Sequence, residues 1–203
     1  MTLYLTRIRL KALEAARLKL FDAYAWHQTL WHAFPGMDGK PRNFLTRVDR
    51  RGDNFEALIL SPEPPEPQPW GQWDTKPIAE SFFQHERYRF SLRANPTQMR
   101  VVRDAEGNRR KHGRRTGVFD PVQLRQWVTR RLQQAGCRIE VVSFDPPVRE
   151  TFCRKGKTLI QVRVDFRGVL RVVDRHRFVE AAVCGIGRAR AFGFGMLLLA
   201  PLS

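Results

Sequence analysis

Apolar and polar positions alternate along LYLTRIRL, which predicts a strand over 3–10. The pattern then changes to helical spacing in DAYAWHQTLWHAF, residues 22–34, with Asp22 placed to cap the start and Pro35-Gly36 placed to stop it. FLTRVDR at 44–50 and FEALILS at 55–61 flank the turn Arg51-Gly52-Asp53-Asn54, which predicts a hairpin. PEPPEPQP at 62–69 reads as a stiff connector. A short helix is expected near 77–84, and ERYRFSLRA at 86–94 alternates again as a strand. The order β-α-β-β-(α)-β is that of the ferredoxin-like unit.

Asn95-Pro96 interrupts the chain. Beyond it the pattern predicts a strand at 98–103, a basic loop at 104–117 and a helix at 120–135 opened by Asp120-Pro121. Strands at 138–144 and 148–153, a turn at 154–157 and a strand at 158–172 follow. A helix at 174–183 and a strand at 194–200 close the series. The expected fold is α+β, two tandem ferredoxin-like (βαββαβ) domains, residues 1–96 and 97–203. The repetition is one of element order, without clear self-similarity in sequence.

Charge changes the picture. The 203 residues carry 36 Lys and Arg against 20 Asp and Glu, a net of +16. Residues 1–96 hold 14 basic and 11 acidic side chains, net +3, whereas residues 97–203 hold 22 and 9, net +13. Like charges crowded on one folded body repel, so this excess anticipates a polyanion. Arg dominates the second half, and its planar fork grips phosphate in two places and stacks on bases, which points to nucleic acid. No apolar stretch reaches the roughly 20 residues of a membrane helix. Three cysteines without CxxC spacing fit a reducing cytoplasm rather than a disulfide framework.

Familiar site signatures are missing. The five histidines form no HExxH, and His27 and His32, five residues apart, do not share a helical face. No metal or other cofactor is expected. Gly156-Lys157-Thr158 ends like a phosphate-binding loop, but Thr151 stands where the first glycine is required. Helix 22–34 offers a different chemistry. Ala23, Trp26, Leu30, Ala33 and Phe34 form the apolar stripe that faces a sheet. Tyr24, His27 and Trp31 fall on the adjoining face within about 60° of one another. An imidazole beside a phenol can move protons near neutral pH. A boundary histidine and a half-buried tyrosine are the purely structural alternative.

The basic segments supply candidate RNA contacts. RVVRDAEGNRRKHGRR at 100–115 contains Arg109, Arg110, Lys111, Arg114 and Arg115, a glycine-interrupted arm suited to phosphates. Arg154, Lys155 and Lys157 form a narrow basic hairpin tip. Arg188 and Arg190 lie in the glycine-rich GIGRARAFGFG run, whose amides can also meet phosphate.

Four segments together carry a family resemblance: Tyr24-Ala25-Trp26-His27-Gln28-Thr29-Leu30-Trp31-His32; Phe90-Ser91-Leu92-Arg93-Ala94-Asn95-Pro96; Phe166-Arg167-Gly168-Val169-Leu170; and the terminal GIGRARAFGFGMLLLAPL. The chain resembles the RAMP-superfamily endoribonucleases that process CRISPR repeat RNA, of the CasE type found in the Cascade complex. The resemblance implies tandem ferredoxin-like domains and metal-independent cleavage at the base of a repeat stem-loop. It also implies retention of the guide RNA and partnership with other Cascade subunits. It gives His27 and Tyr24 catalytic roles. Some relatives use a lysine shortly after the histidine, and the nearby position here holds His32, so the charge-stabilising group is either His32 or an arginine. The competing expectation is a non-catalytic RNA-hairpin-binding subunit of the same architecture.

Overall fold

The computed structural model describes residues 2–37, 40–101, 113–154 and 157–202. The first sheet joins β1 (Leu3–Lys11), β2 (Leu45–Arg51), β3 (Asn54–Ser61) and β4 (Gln72–Ile78) in the order β2-β3-β1-β4, every pairing antiparallel. The predicted hairpin is β2-β3. Between β1 and β2 run a short helix α1 (Ala12–Arg17), not anticipated from the pattern, and α2 (Ala23–Trp31). Asp22 caps α2 as expected, its Oδ1 accepting from the amides of Tyr24 at 2.9 Å and Ala25 at 2.8 Å. Trp26 and Leu30 turn inward with Ile8, Leu10, Phe44 and Ile59 to form the first core.

Two expectations for this unit are corrected. The helix expected near 77–84 is a single 3₁₀ turn, Glu80–Phe83, and the strand before it, β4, has no counterpart in the sequence pattern. β4 is a sheet edge with no buried side chain, and Pro77 lies within it. An exposed edge strand whose large apolar residues are only Trp73 and Ile78 has no apolar alternation to read, and only an edge tolerates proline there. Consequently the strand at 86–94 does not complete the first sheet. It is β5 (Arg87–Ala94), which pairs with β10 (Lys157–Val172) and β11 (Leu197–Leu202). The chain passes from the first sheet to the second between Ile78 and Arg87.

The second sheet runs β11-β5-β10-β8, with β8 at Cys137–Phe144. Taken in chain order its members β5, β8, β10 and β11 occupy places 1, 2, 3 and 4 of the same ferredoxin-like arrangement as the first sheet. The expected tandem fold is therefore present. Helices α3 (Pro121–Gln134) and α4 (Arg175–Cys184) supply the crossovers, capped by Asp120 and Asp174. Tyr88, Leu92, Phe166, Leu170, Trp127 and Phe178 lie in the second core, and Leu3, Leu45 and Leu60 of the first sheet join it. Part of the expected 104–117 loop is instead strand: β7 (Arg114–Gly117) pairs with β6 (Thr97–Arg100) in a separate ribbon. β9 (Val148–Arg154) pairs with the first half of the 16-residue β10, so this hairpin extends beyond the sheet.

Gly168 of β10 lies tightly against Val141 of β8. A Cβ built there would stand 1.9 Å from the Val141 carbonyl oxygen, next to a register shift between Val169 and Leu170. Only a glycine leaves room for that carbonyl. Gly168→Ala is expected to destabilise the chain by about 1–3 kcal/mol, the range for inserting volume into a packed site; urea unfolding of both proteins measures it.

Candidate RNA-processing site

α2 brings its candidate residues to the glycine-rich segment that follows α4. Phe192, in the 3₁₀ turn Arg190–Phe192, is the common contact. Its ring centroid lies 5.9 Å from His27, edge-on, and 6.4 Å from Tyr24. Trp31 meets the His27 ring edge-on at 5.6 Å, and Phe152 of β9 packs on Phe192 at 4.6 Å. Tyr24, His27 and Trp31 are all half-buried, as a face adjoining an apolar stripe should be. His27 borders a pocket of about 390 Å³ whose wall includes Trp26, Thr46, Arg93, Phe152 and Phe192. The imidazole thus stands at an opening between the first sheet's helix and the second unit's loop and hairpin. His32, the C-cap of α2, is exposed and does not border this pocket.

The loop is held by the second sheet. The Gly195 amide donates to the Arg93 carbonyl and the Ile186 amide to the Gly195 carbonyl, both at 2.8 Å. A Cβ at Gly195 would stand 2.7 Å from the Ile186 oxygen and 3.0 Å from Arg190 Cγ. Ala189 adopts φ 63°, a left-handed conformation costly for a residue with a side chain. The loop is therefore shaped by its surroundings rather than by local preference.

A buried ion cluster joins the two sheets beneath the pocket, and the sequence pattern alone does not reveal it as a site. Arg93 of β5 reaches Asp49 of β2 at 2.6 Å and Asp165 of β10 at 2.8 Å, and donates to the Val48 carbonyl at 2.7 Å. Arg47 of β2 pairs with Asp49 at 2.8 Å, approaches Asp165 at 3.6 Å and donates to Ser91 Oγ at 3.0 Å. Side-chain exposure is 15% or less for all four charges, so solvent screens them little. Burial alone would raise the Asp49 pKa; the Arg47 and Arg93 charges and hydrogen bonds outweigh it and hold it below the ordinary 3.8. The FSLRANP segment contains the signal, since an arginine within an alternating strand needs a partner. Only the fold shows that the partners are Asp49 and Asp165.

The basic candidates divide. Arg114 and Arg115 lie on β7 and are exposed, as are Arg188 and Arg190 in the loop. Among the described residues none of these four forms a salt bridge, and Arg190 donates to the Cys184 carbonyl. Arg154 and Lys157 face each other across the β9-β10 pairing, which gives the predicted hairpin. Arg109, Arg110, Lys111 and Lys155 lie outside the described residues. No described helix is long and apolar enough to cross a membrane.

Comparisons with known proteins agree over nearly the full length. A family described as "CRISPR associated protein" matches residues 3–201. The chain is 30% identical over 190 residues to the CRISPR system Cascade subunit CasE of Escherichia coli K12, covering 89% of this chain and 93% of that protein. It is 30% identical over 222 residues to the CRISPR-associated endoribonuclease Cse3 of Thermus thermophilus, covering 98% and 100%. The structure of Thermus thermophilus Cse3 bound to an RNA representing a pre-cleavage complex superposes with a TM-score of 0.79 at 28% identity, covering 99% of this chain and 100% of that one. Cas6e of Escherichia coli K-12 superposes at 0.74 and 28% identity, with both chains fully covered.

The ion cluster makes an acid-stability prediction. The folded Asp49 pKa lies below its unfolded value, so its stabilisation is complete above about pH 4 and is lost as pH falls through the folded value. Asp49→Asn leaves two buried guanidinium groups short of a counter-charge and should cost about 3–5 kcal/mol at pH 7. The variant should also lose less stability than wild type between about pH 4 and 2. Denaturant unfolding at pH 7 and across that acid range reads both effects.

Proposed function

This chain belongs to the CRISPR-associated protein family, and we propose that it is an endoribonuclease that cleaves CRISPR precursor RNA at the base of the repeat stem-loop. The convergence of His27 and Tyr24 on the Phe192 ring, with His27 and Phe192 in the wall of a pocket beside an arginine-bearing loop, carries this reading. The named activity of Cse3 and the RNA in its superposed structure support the substrate. The name of the CasE relative supports Cascade subunits as partners. We place the protein in the cytoplasm, where its RNA substrate and reduced thiols both belong.

The RNA supplies its own nucleophile. The 2′-OH beside the scissile phosphate attacks phosphorus in line as the bond to the 5′ oxygen breaks. One proton leaves the 2′ oxygen and another reaches the departing 5′ oxygen. His27 serves one of these transfers, and Tyr24 orients the phosphate or donates to it. Arginine guanidinium and loop amides stabilise the charge that develops. The products are a 2′,3′-cyclic phosphate and a 5′-OH, and the cleaved hairpin stays bound as guide RNA. The catalytic helix belongs to residues 1–96, while residues 97–203 supply most of the basic surface, including Arg114, Arg115, Arg188 and Arg190. Arg109, Arg110, Lys111, Arg154, Lys155 and Lys157 complete the proposed contacts to the stem.

A non-catalytic hairpin-binding subunit would bind as well without cutting. Single-turnover cleavage of a labelled repeat hairpin in EDTA separates the two. His27→Ala is expected to slow cleavage by about 10²–10⁴-fold with RNA affinity unchanged. Wild-type cleavage rates in His27→Ala, or cutting of RNA carrying 2′-H at the cleavage point, contradict the mechanism. Binding should also weaken with salt, with a log–log slope of roughly −0.7 to −0.9 for each phosphate neutralised; titrations at several ionic strengths give that slope.

A further inference from the structure

Two arginine side chains lie near the start of β2. Arg42 precedes β2 and lies over the Phe44 ring, 5.3 Å from its centroid. Phe44 packs on Trp31 at 5.5 Å, and Trp31 packs on His27. Arg190 approaches from the glycine-rich loop. A Cβ at Gly185 would stand 2.9 Å from Leu45 and 3.1 Å from Arg190 Cδ, so the stem of Arg190 lies against the start of β2. Glycines at 185 and 195 leave the channel in which that side chain runs.

Neither guanidinium has a carboxylate partner among the described residues. Arg190 spends one N–H on the Cys184 carbonyl. Arg42 Nη1 is buried and has no hydrogen-bond acceptor among the described residues. Burial, and then the Arg190 charge, push the Arg42 pKa down to about 10. By contrast Arg47 and Arg93 are each paired with Asp49 and Asp165. A buried cationic donor left without an acceptor beside a second cation is destabilising unless an anion arrives to meet both.

We propose that Arg42 and Arg190 form a clamp for one backbone phosphate of the RNA strand that His27 engages, offset from the scissile linkage by the Trp31 and Phe44 rings. The clamp rests on the RNA reading above. Its two arms differ in function: Arg42 is fixed by stacking on Phe44, and Arg190 is carried on the loop that also holds Phe192 against His27. Binding of the phosphate therefore ties the strand to both units and registers it against the imidazole. His32, exposed at the end of α2, plays no part in it.

The test is a binding measurement on a repeat hairpin made non-cleavable by 2′-H at the cut. Copies each carry one uncharged methylphosphonate linkage within three nucleotides of that point. One linkage should weaken wild-type binding by about tenfold, the loss of one charge-assisted contact. Arg42→Gln should bind the all-phosphate RNA about tenfold more weakly and lose nothing further at that linkage. Its salt slope should be shallower by about 0.7, the value for one single-strand phosphate. Arg42→Lys should keep the slope. Arg190→Gln, at an exposed position, should lose sensitivity at the same linkage and so tests the clamp even if Arg42→Gln folds poorly. Wild-type affinity in both glutamine variants, or losses that add to methylphosphonate effects at every linkage, overturn the clamp. A wild type that shows the linkage effect yet never cuts ribose RNA upholds the clamp and overturns the cleavage reading instead.

Discussion

The four-charge cluster of Arg47, Asp49, Arg93 and Asp165 fixes how the two sheets meet. It joins strands of both sheets, and each buried charge is answered by an opposite one within the cluster. Such a cluster adds little net stability over an apolar contact, because desolvation offsets the attraction. Sliding β2 past β5 would strand unpaired charge in the interior. Arg93 also joins side-chain and main-chain roles. Its guanidinium binds the first sheet, while its carbonyl accepts from Gly195 and so anchors the glycine-rich loop.

That coupling places the candidate chemistry. α2 rides on the first sheet through Trp26 and Leu30, and the Phe192 turn rides on the second through Gly195. His27 and Tyr24 meet Phe192 where elements carried by the two sheets come together. The pocket beside His27 is bordered by Arg93 itself, so the structural cluster and the site share a residue. Arg47 and Arg93 are matched by carboxylates and join the two sheets. Arg42, Arg190 and the β7 arginines have no carboxylate partner among the described residues, which is what the proposed phosphate contacts rest on.

Much of this is legible in the sequence, and the failures have physical causes. The capped helix at α2 follows from Asp22 and the apolar spacing, and the shared face of Tyr24 and His27 follows from helical geometry. β5 is recognisable because Tyr88, Phe90, Leu92 and Ala94 alternate inward. The pattern nevertheless assigns it to the wrong sheet because β4, an exposed proline-containing edge, carries no periodic signal, so the first unit seems one strand short. Arg42 does not stand out in the sequence because its significance is negative: an arginine without a carboxylate is visible only when its neighbours are known. The Arg93 cluster likewise joins residues 44 and 72 positions apart in the chain.

The central claim is that the RNA cleavage point docks against His27 in the opening between α2 and the Phe192 loop. A crystal structure of the chain with a repeat hairpin blocked by 2′-H at the cleavage point tests it most directly. The account predicts the scissile linkage within about 3 Å of the His27 imidazole, the reach of a proton-transferring hydrogen bond, or one water removed. A scissile phosphate seated on another face, with the opening beside His27 empty of RNA, would contradict it.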